Sequence, residues 1–134
     1  MSRFFIYINI IINTYIMSEI KFKVSINNID PKAYDDVLHE FTDEVIPELQ
    51  KQIGEKEFKE MFGGILCRDP NTKIYDIILI FNGINDINHV GNIMNYLISN
   101  YDTMFQIKIT EFIIKMPIDT KTQKRKAIKL DIKQ

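Results

Sequence analysis

Lys73-Ile74-Tyr75-Asp76-Ile77-Ile78-Leu79-Ile80-Phe81 carries the strongest strand signal in this 134-residue chain. Its near-continuous apolar run is the pattern of a strand at the centre of a sheet, and Asn82-Gly83 breaks it. Just upstream, Arg68-Asp69-Pro70-Asn71-Thr72 gathers turn-forming residues, and Ile65-Leu66-Cys67 before them supplies the first arm of a hairpin. Further out on either side lie two segments with the two-residue period of half-buried strands. Lys21-Phe22-Lys23-Val24-Ser25-Ile26 alternates polar with apolar residues, and Met104 to Met116 sets Phe105, Ile107 and Ile109 against Gln106, Lys108 and Thr110. Pro117 ends the last of these.

Helical periodicity fills the gaps. Asp30-Pro31 opens a helix, with Asp30 as N-cap and Pro31 at the first helical position. Tyr34, Val37, Leu38, Phe41, Val45 and Leu49 then recur at three- and four-residue spacing as one apolar stripe. Pro47 should kink or restart this helix, because it lacks an amide donor and crowds the preceding turn. A second amphipathic piece, Glu55 to Phe62, offers Phe58, Met61 and Phe62, and Gly63-Gly64 is expected to end it as a hinge. Another helix begins near Asn85 or Asp86, with Ile87, Val90, Met94, Leu97 and Ile98 on one face.

The order is therefore strand, helix, strand, strand, helix, strand. Two split βαβ halves of fixed handedness predict an α+β, ferredoxin-like β-α-β-β-α-β sandwich, a four-stranded antiparallel sheet with both helices on one face. A single domain is expected over 17–117, followed by a basic C-terminal tail over 118–134. The apolar N-terminal segment 1–16 reads as an extra strand or an over-long gene start. A membrane-directed role is the weaker reading, since the segment is short for a span and Asn9 and Asn13 interrupt it.

Composition is that of a globular protein, 46% hydrophobic and 26% charged, so a disordered chain is excluded as the main reading. A net charge of −1 hides an asymmetry: residues 17–117 carry ten Lys/Arg against sixteen Asp/Glu, whereas 118–134 carry six against two. The single cysteine, Cys67, rules out an internal disulfide and favours a reducing, cytoplasmic setting.

Catalytic signatures are missing. His39 and His89 are the only histidines, and neither belongs to an HExxH, His-x-His or Cys-x-x-Cys arrangement. Gly63-Gly64 has no Lys-Ser/Thr after it and so is no phosphate loop. No catalytic, metal-binding or cofactor-binding residue is therefore assigned, and a non-catalytic protein is expected.

Three turn sequences carry a resemblance. Val24-Ser25-Ile26-Asn27-Asn28-Ile29-Asp30-Pro31 is similar to the first strand and following turn of RNA-recognition-motif domains. Arg68-Asp69-Pro70-Asn71-Thr72-Lys73 resembles that family's loop between its second and third strands, and Asn85-Asp86-Ile87 the entry to its second helix. The resemblance implies a sheet that stacks nucleic-acid bases on exposed aromatics. Here Ser25 stands at the expected aromatic position of the first strand. In the third, Ile74 replaces a glycine, and Ile77 and Ile80 replace aromatics, so Tyr75 alone remains of the platform.

Two binding functions follow. The leading expectation is a small protein-interaction domain, with a protein partner or self-association. It would act through an open apolar sheet face and the acidic helix residues Asp36, Glu40, Asp43 and Glu44. The alternative is a single-stranded RNA or DNA binder using Arg68, Lys73, Tyr75 and Lys108 with the tail residues Lys124, Arg125 and Lys126.

Overall fold

The computed structural model describes residues 19–67, 71–118 and 121–132. The readings offered for residues 1–16, and the candidate residue Arg68, lie outside them. Strand β1 (Glu19–Asn27) is followed by a turn in which Asn28 takes a left-handed conformation, φ 63°. Asp30 then caps as its sequence position implies: its carboxylate accepts the Lys32 amide at 3.0 Å, and Pro31 opens a short 3-10 turn.

Helix α1 continues from that turn in three segments, Tyr34–Glu40, a π-helical stretch Phe41–Val45, and Ile46–Ile53. The π stretch is how the helix accommodates Pro47. The Ile46 amide reaches back five residues to the Phe41 carbonyl, widening the turn just before the proline ring instead of breaking the helix there. The apolar stripe survives the change of register, and Tyr34, Val37, Phe41, Val45 and Leu49 are all buried. Gly54, at φ 111°, separates α1 from helix α2 (Glu55–Met61).

Strand β2 (Phe62–Leu66) starts directly from α2. Gly63 and Gly64 thus lie inside a strand rather than forming a hinge. A Cβ on Gly63 would stand 3.0 Å from the Ile80 side chain, and Gly64 has φ 122°, so the pair carries a register irregularity where β2 meets its neighbour. Strand β3 (Ile77–Ile84) begins later than the apolar run suggests. Tyr34 donates to the Asp76 carbonyl at 3.1 Å, and Tyr75 meets the Tyr34 ring edge-on at 5.6 Å, so Tyr75 and Asp76 are held against helix α1 before pairing begins. Helix α3 (Ile87–Tyr101) starts at Asp86, whose carboxylate accepts the Asn88 amide at 2.9 Å. It buries Val90, Ile93, Met94, Leu97 and Tyr101, while Ile98, expected on that face, is 42% exposed.

Strand β4 (Gln106–Ile118) pairs with β1, and β5 (Arg125–Lys129) pairs with β4. Over the described residues the sheet thus has five strands, not four, in the order β2-β3-β1-β4-β5 with every pair antiparallel. The fifth comes from the stretch read as a basic tail. An edge strand exposed along its whole length needs no apolar alternation, and Arg125-Lys126-Ala127-Ile128-Lys129 has none. Arg125 holds it in place, its Nε donating to the Met116 carbonyl at 2.7 Å and its guanidinium lying 3.3 Å from Glu19.

The fold is a mixed α+β arrangement of two layers. Ile20, Phe22, Val24 and Ile26 of β1, Ile77, Leu79 and Phe81 of β3, and Ile109, Phe112 and Ile114 of β4 point to one side. There they form a single core with the apolar stripes of the three helices. Phe22 stacks on Phe81 at 5.0 Å and lies 6.2 Å from Phe112, and Phe58 of α2 meets Phe81 edge-on at 6.4 Å. Among the described residues no helix is long and apolar enough to cross a membrane.

Candidate interaction surface

Because strand side chains alternate, the residues between the core positions all reach the other face of the sheet, which the described helices leave uncovered. The register defines its cross-strand rows. Leu66, Ile78, Ser25 and Lys108 form one row; Gly64, Ile80, Lys23 and Glu111 form the next; Ile113 stands between Lys21 and Lys129 in a third. Glu19 lies opposite Lys115 at the end, where Arg125 joins it.

Two territories result. Leu66, Ile78 and Ile80, on β2 and β3, make an aliphatic patch in which Leu66 is 50% exposed. Lys21, Lys23, Lys108, Lys115, Arg125 and Lys129, on β1, β4 and β5, make a cationic band. Among the described residues Glu19, Glu111 and Asp76 oppose it, the last with its carboxylate beside the Asn27 side chain at the Ser25 end of the face. Glu111 lies 3.9 Å from both Lys21 and Lys23, and one of its oxygens is buried without a hydrogen-bond partner, so a single carboxylate serves two ammonium groups at long range. Lys115 reaches Asn82 at 3.5 Å across the intervening strand.

The helical layer has the opposite sign. Asp36, Asp43 and Glu44 are exposed along α1, with Asp43 3.6 Å from His39. Glu40 is turned inward, accepting from the Tyr101 hydroxyl of α3 at 3.4 Å. Burial pushes the Tyr101 phenol up to about 12, and Glu40, Tyr96 and Glu44 push the same way. Tyr96 is raised too, by burial first and then by Glu48, Glu40 and Glu44. The acidic balance of the body therefore belongs to the helices, not to the sheet.

The residues offered for nucleic-acid binding are only partly brought together. Lys108 lies on the helix-free face. Lys73 is exposed in the loop before β3, and Tyr75 sits on the helix-covered side, packed against the core and Tyr34. Lys124 and Lys126 are exposed at the β5 edge, while Arg125 is engaged in fixing that strand. Ser25, at the family's aromatic position, is 3% exposed in the middle of the face. Among the described residues, then, no aromatic stands on it.

Elsewhere, Cys67 is exposed. His89 lies 2.9 Å from Glu57 beside a polar cavity of about 410 Å³ that Glu60 and Asp86 also line, and its other ring nitrogen is buried without a hydrogen-bond partner. Sequence reasoning missed this pair because the two residues lie on separate helices with no motif linking them. Among the described residues no group of three His, Cys, Asp or Glu side chains could hold a metal ion.

Comparison with protein-family models, with curated proteins and with solved structures finds no match for this chain.

Proposed function

We propose that this protein is a non-catalytic interaction domain that binds a protein partner through the helix-free face of its sheet. The observation that carries the reading is the adjacency of Leu66, Ile78 and Ile80 to the lysine band, on a surface without aromatic rings among the described residues. Aliphatic side chains gathered on an uncovered sheet face gain by being covered, and lysines beside them confer selectivity. The strand order β2-β3-β1-β4 supports the finer reading of a ferredoxin-like layout, here extended by β5. That layout hosts many functions and selects none by itself. The acidic side of α1, with Asp36, Asp43 and Glu44, offers a second and opposite contact surface.

A photo-crosslinking residue introduced at position 80 tests this in the protein's native cell. The expected outcome is a discrete protein adduct that the same label at Asp43 does not give. Equal labelling from both positions, or none from position 80, refutes the sheet-face reading.

A second reading, single-stranded nucleic-acid binding by a domain resembling the RNA-recognition motif, draws on one observation. Lys21, Lys23, Lys108 and Lys115 gather on one face in spite of the acidic body. The position of Tyr75 weighs against it, since base stacking would have no ring to use on that face.

A further inference from the structure

The charge on the helix-free face narrows the kind of partner it fits. Six basic side chains, Lys21, Lys23, Lys108, Lys115, Arg125 and Lys129, stand there against Glu19, Glu111 and, at the Ser25 end, Asp76. The basic residues lie to one side of the aliphatic patch and do not ring it. Neighbouring strands are about 4.8 Å apart, so the step from Ile78 and Ile80 on β3 across β1 to Lys108 on β4 is about 10 Å. That is close to the width of an α-helix with its side chains, about 10–12 Å.

We propose that the occupant of this face is an acidic amphipathic helix of another protein. Its apolar stripe covers Leu66, Ile78 and Ile80, and its carboxylates along one flank meet Lys23, Lys108 and Lys115. The inference rests on the protein-binding reading above and adds the chemistry of the partner. Charge complementarity selects it. A basic segment is repelled by the band, and a neutral apolar one makes no use of its net positive charge. Nucleic acid would satisfy the lysines but leave the aliphatic patch without a stacking ring.

The test uses the full chain and a labelled synthetic peptide with leucines along one helical stripe and glutamates elsewhere. Controls are the same peptide with lysines in place of glutamates, and an oligothymidine. The acidic peptide is expected to bind, and to weaken by about tenfold or more as salt rises through the range where the screening length falls below about 5 Å. Lys108→Glu and Ile80→Asp should each weaken it by about tenfold under conditions where circular dichroism shows both variants folded, Ile80→Asp with a lowered urea midpoint, while Asp43→Lys on the helical layer leaves it unchanged. Lys108 is the preferred charge variant because Lys23 also contacts Glu111.

Preferential binding of the lysine peptide or the oligothymidine overturns the proposal, as does failure of the acidic peptide to bind. A doubled native mass that Ile80→Asp abolishes also overturns it, by making a second copy the occupant. If the position-80 crosslink yields a protein adduct while the acidic peptide fails, this inference falls alone. If both fail, the protein-binding reading falls with it.

Discussion

Phe81 and Ile80 are neighbours on β3, yet they belong to different environments. Phe81 is fully buried, stacked on Phe22 and met by Phe58, whereas Ile80 reaches the other face beside Lys23 and Gly63. The same alternation divides β1, where Phe22 and Val24 enter the core while Lys23 faces outward. One face of the sheet is thus held by close-packed rings and β-branched side chains. The other mixes aliphatic and cationic groups that make few demands on each other. Stability and recognition are separable residue by residue, because successive positions on a strand serve different faces.

The largest effect follows from that division. Phe81→Ala removes a ring that packs against three others and should cost about 3–5 kcal/mol, whereas Ile80→Ala, only half-buried, should cost about 1 kcal/mol. Urea denaturation of the two variants measures the gap. Similar losses would show that the helix-free face is packed as tightly as the core and would break the comparison.

A smaller effect sharpens it at the β2 edge, where the two glycines differ. Gly63 is held small by Ile80, but around Gly64 there is open space, and only its φ of 122° demands glycine. Gly64→Ala should therefore destabilise by about 1–2 kcal/mol through backbone strain, without disturbing Ile80. The check is again a urea midpoint, joined by peptide binding at the sheet face. A stabilising result would mean that the edge relaxes out of the left-handed region at no cost.

Much of this division can be read from the sequence, and the exceptions have physical causes. The alternation Lys21 to Ile26 and Ile107 to Ile109 gives both faces of β1 and of the first part of β4, up to the register irregularity opposite Lys23 and Val24 that turns Phe112 and Ile114 into the core. The Asp30 and Asp86 caps stand where the helical stripes begin. β3 is harder to bound. The run from Ile74 is apolar but for Asp76, and only the Tyr34 contacts show that pairing waits until Ile77. That same run hides the surface: Ile78 and Ile80 look like core residues because nothing in a continuous apolar stretch marks which faces are covered. β5 is invisible because its pairing comes from backbone and from Arg125, not from an apolar pattern. The candidate site suffers more, since a cationic band assembled from β1, β4 and β5 exists only once the register is known. Overall charge, which is acidic over 17–117, points the other way.

The smallest effect tests whether the helical layer and the sheet differ in sign as described. Tyr101 lies within the carboxylate field of α1, its hydroxyl 3.4 Å from Glu40, and its phenol is pushed up to about 12 from an ordinary value of 10.0. At neutral pH the phenol is protonated in both folded and unfolded chains, so Tyr101→Phe removes one long hydrogen bond and should cost about 0.5 kcal/mol. As pH rises above about 10 the unfolded chain loses the tyrosine proton first. It then binds fewer protons than the folded chain, and stability falls until the folded phenol ionises near 12. That part of the alkaline loss should be missing in Tyr101→Phe, so the two stability curves converge or cross between these limits. Parallel curves would mean that burial and Glu40 do not hold the proton, and that the acidic field assigned to the helical layer does not reach Tyr101. Reversing Glu40 to Lys should lower the tyrosine's pKa from its raised position, which a spectrophotometric titration reads directly. The same reversal should leave acidic-peptide binding at the opposite face unchanged, because the sheet and the core separate the two surfaces.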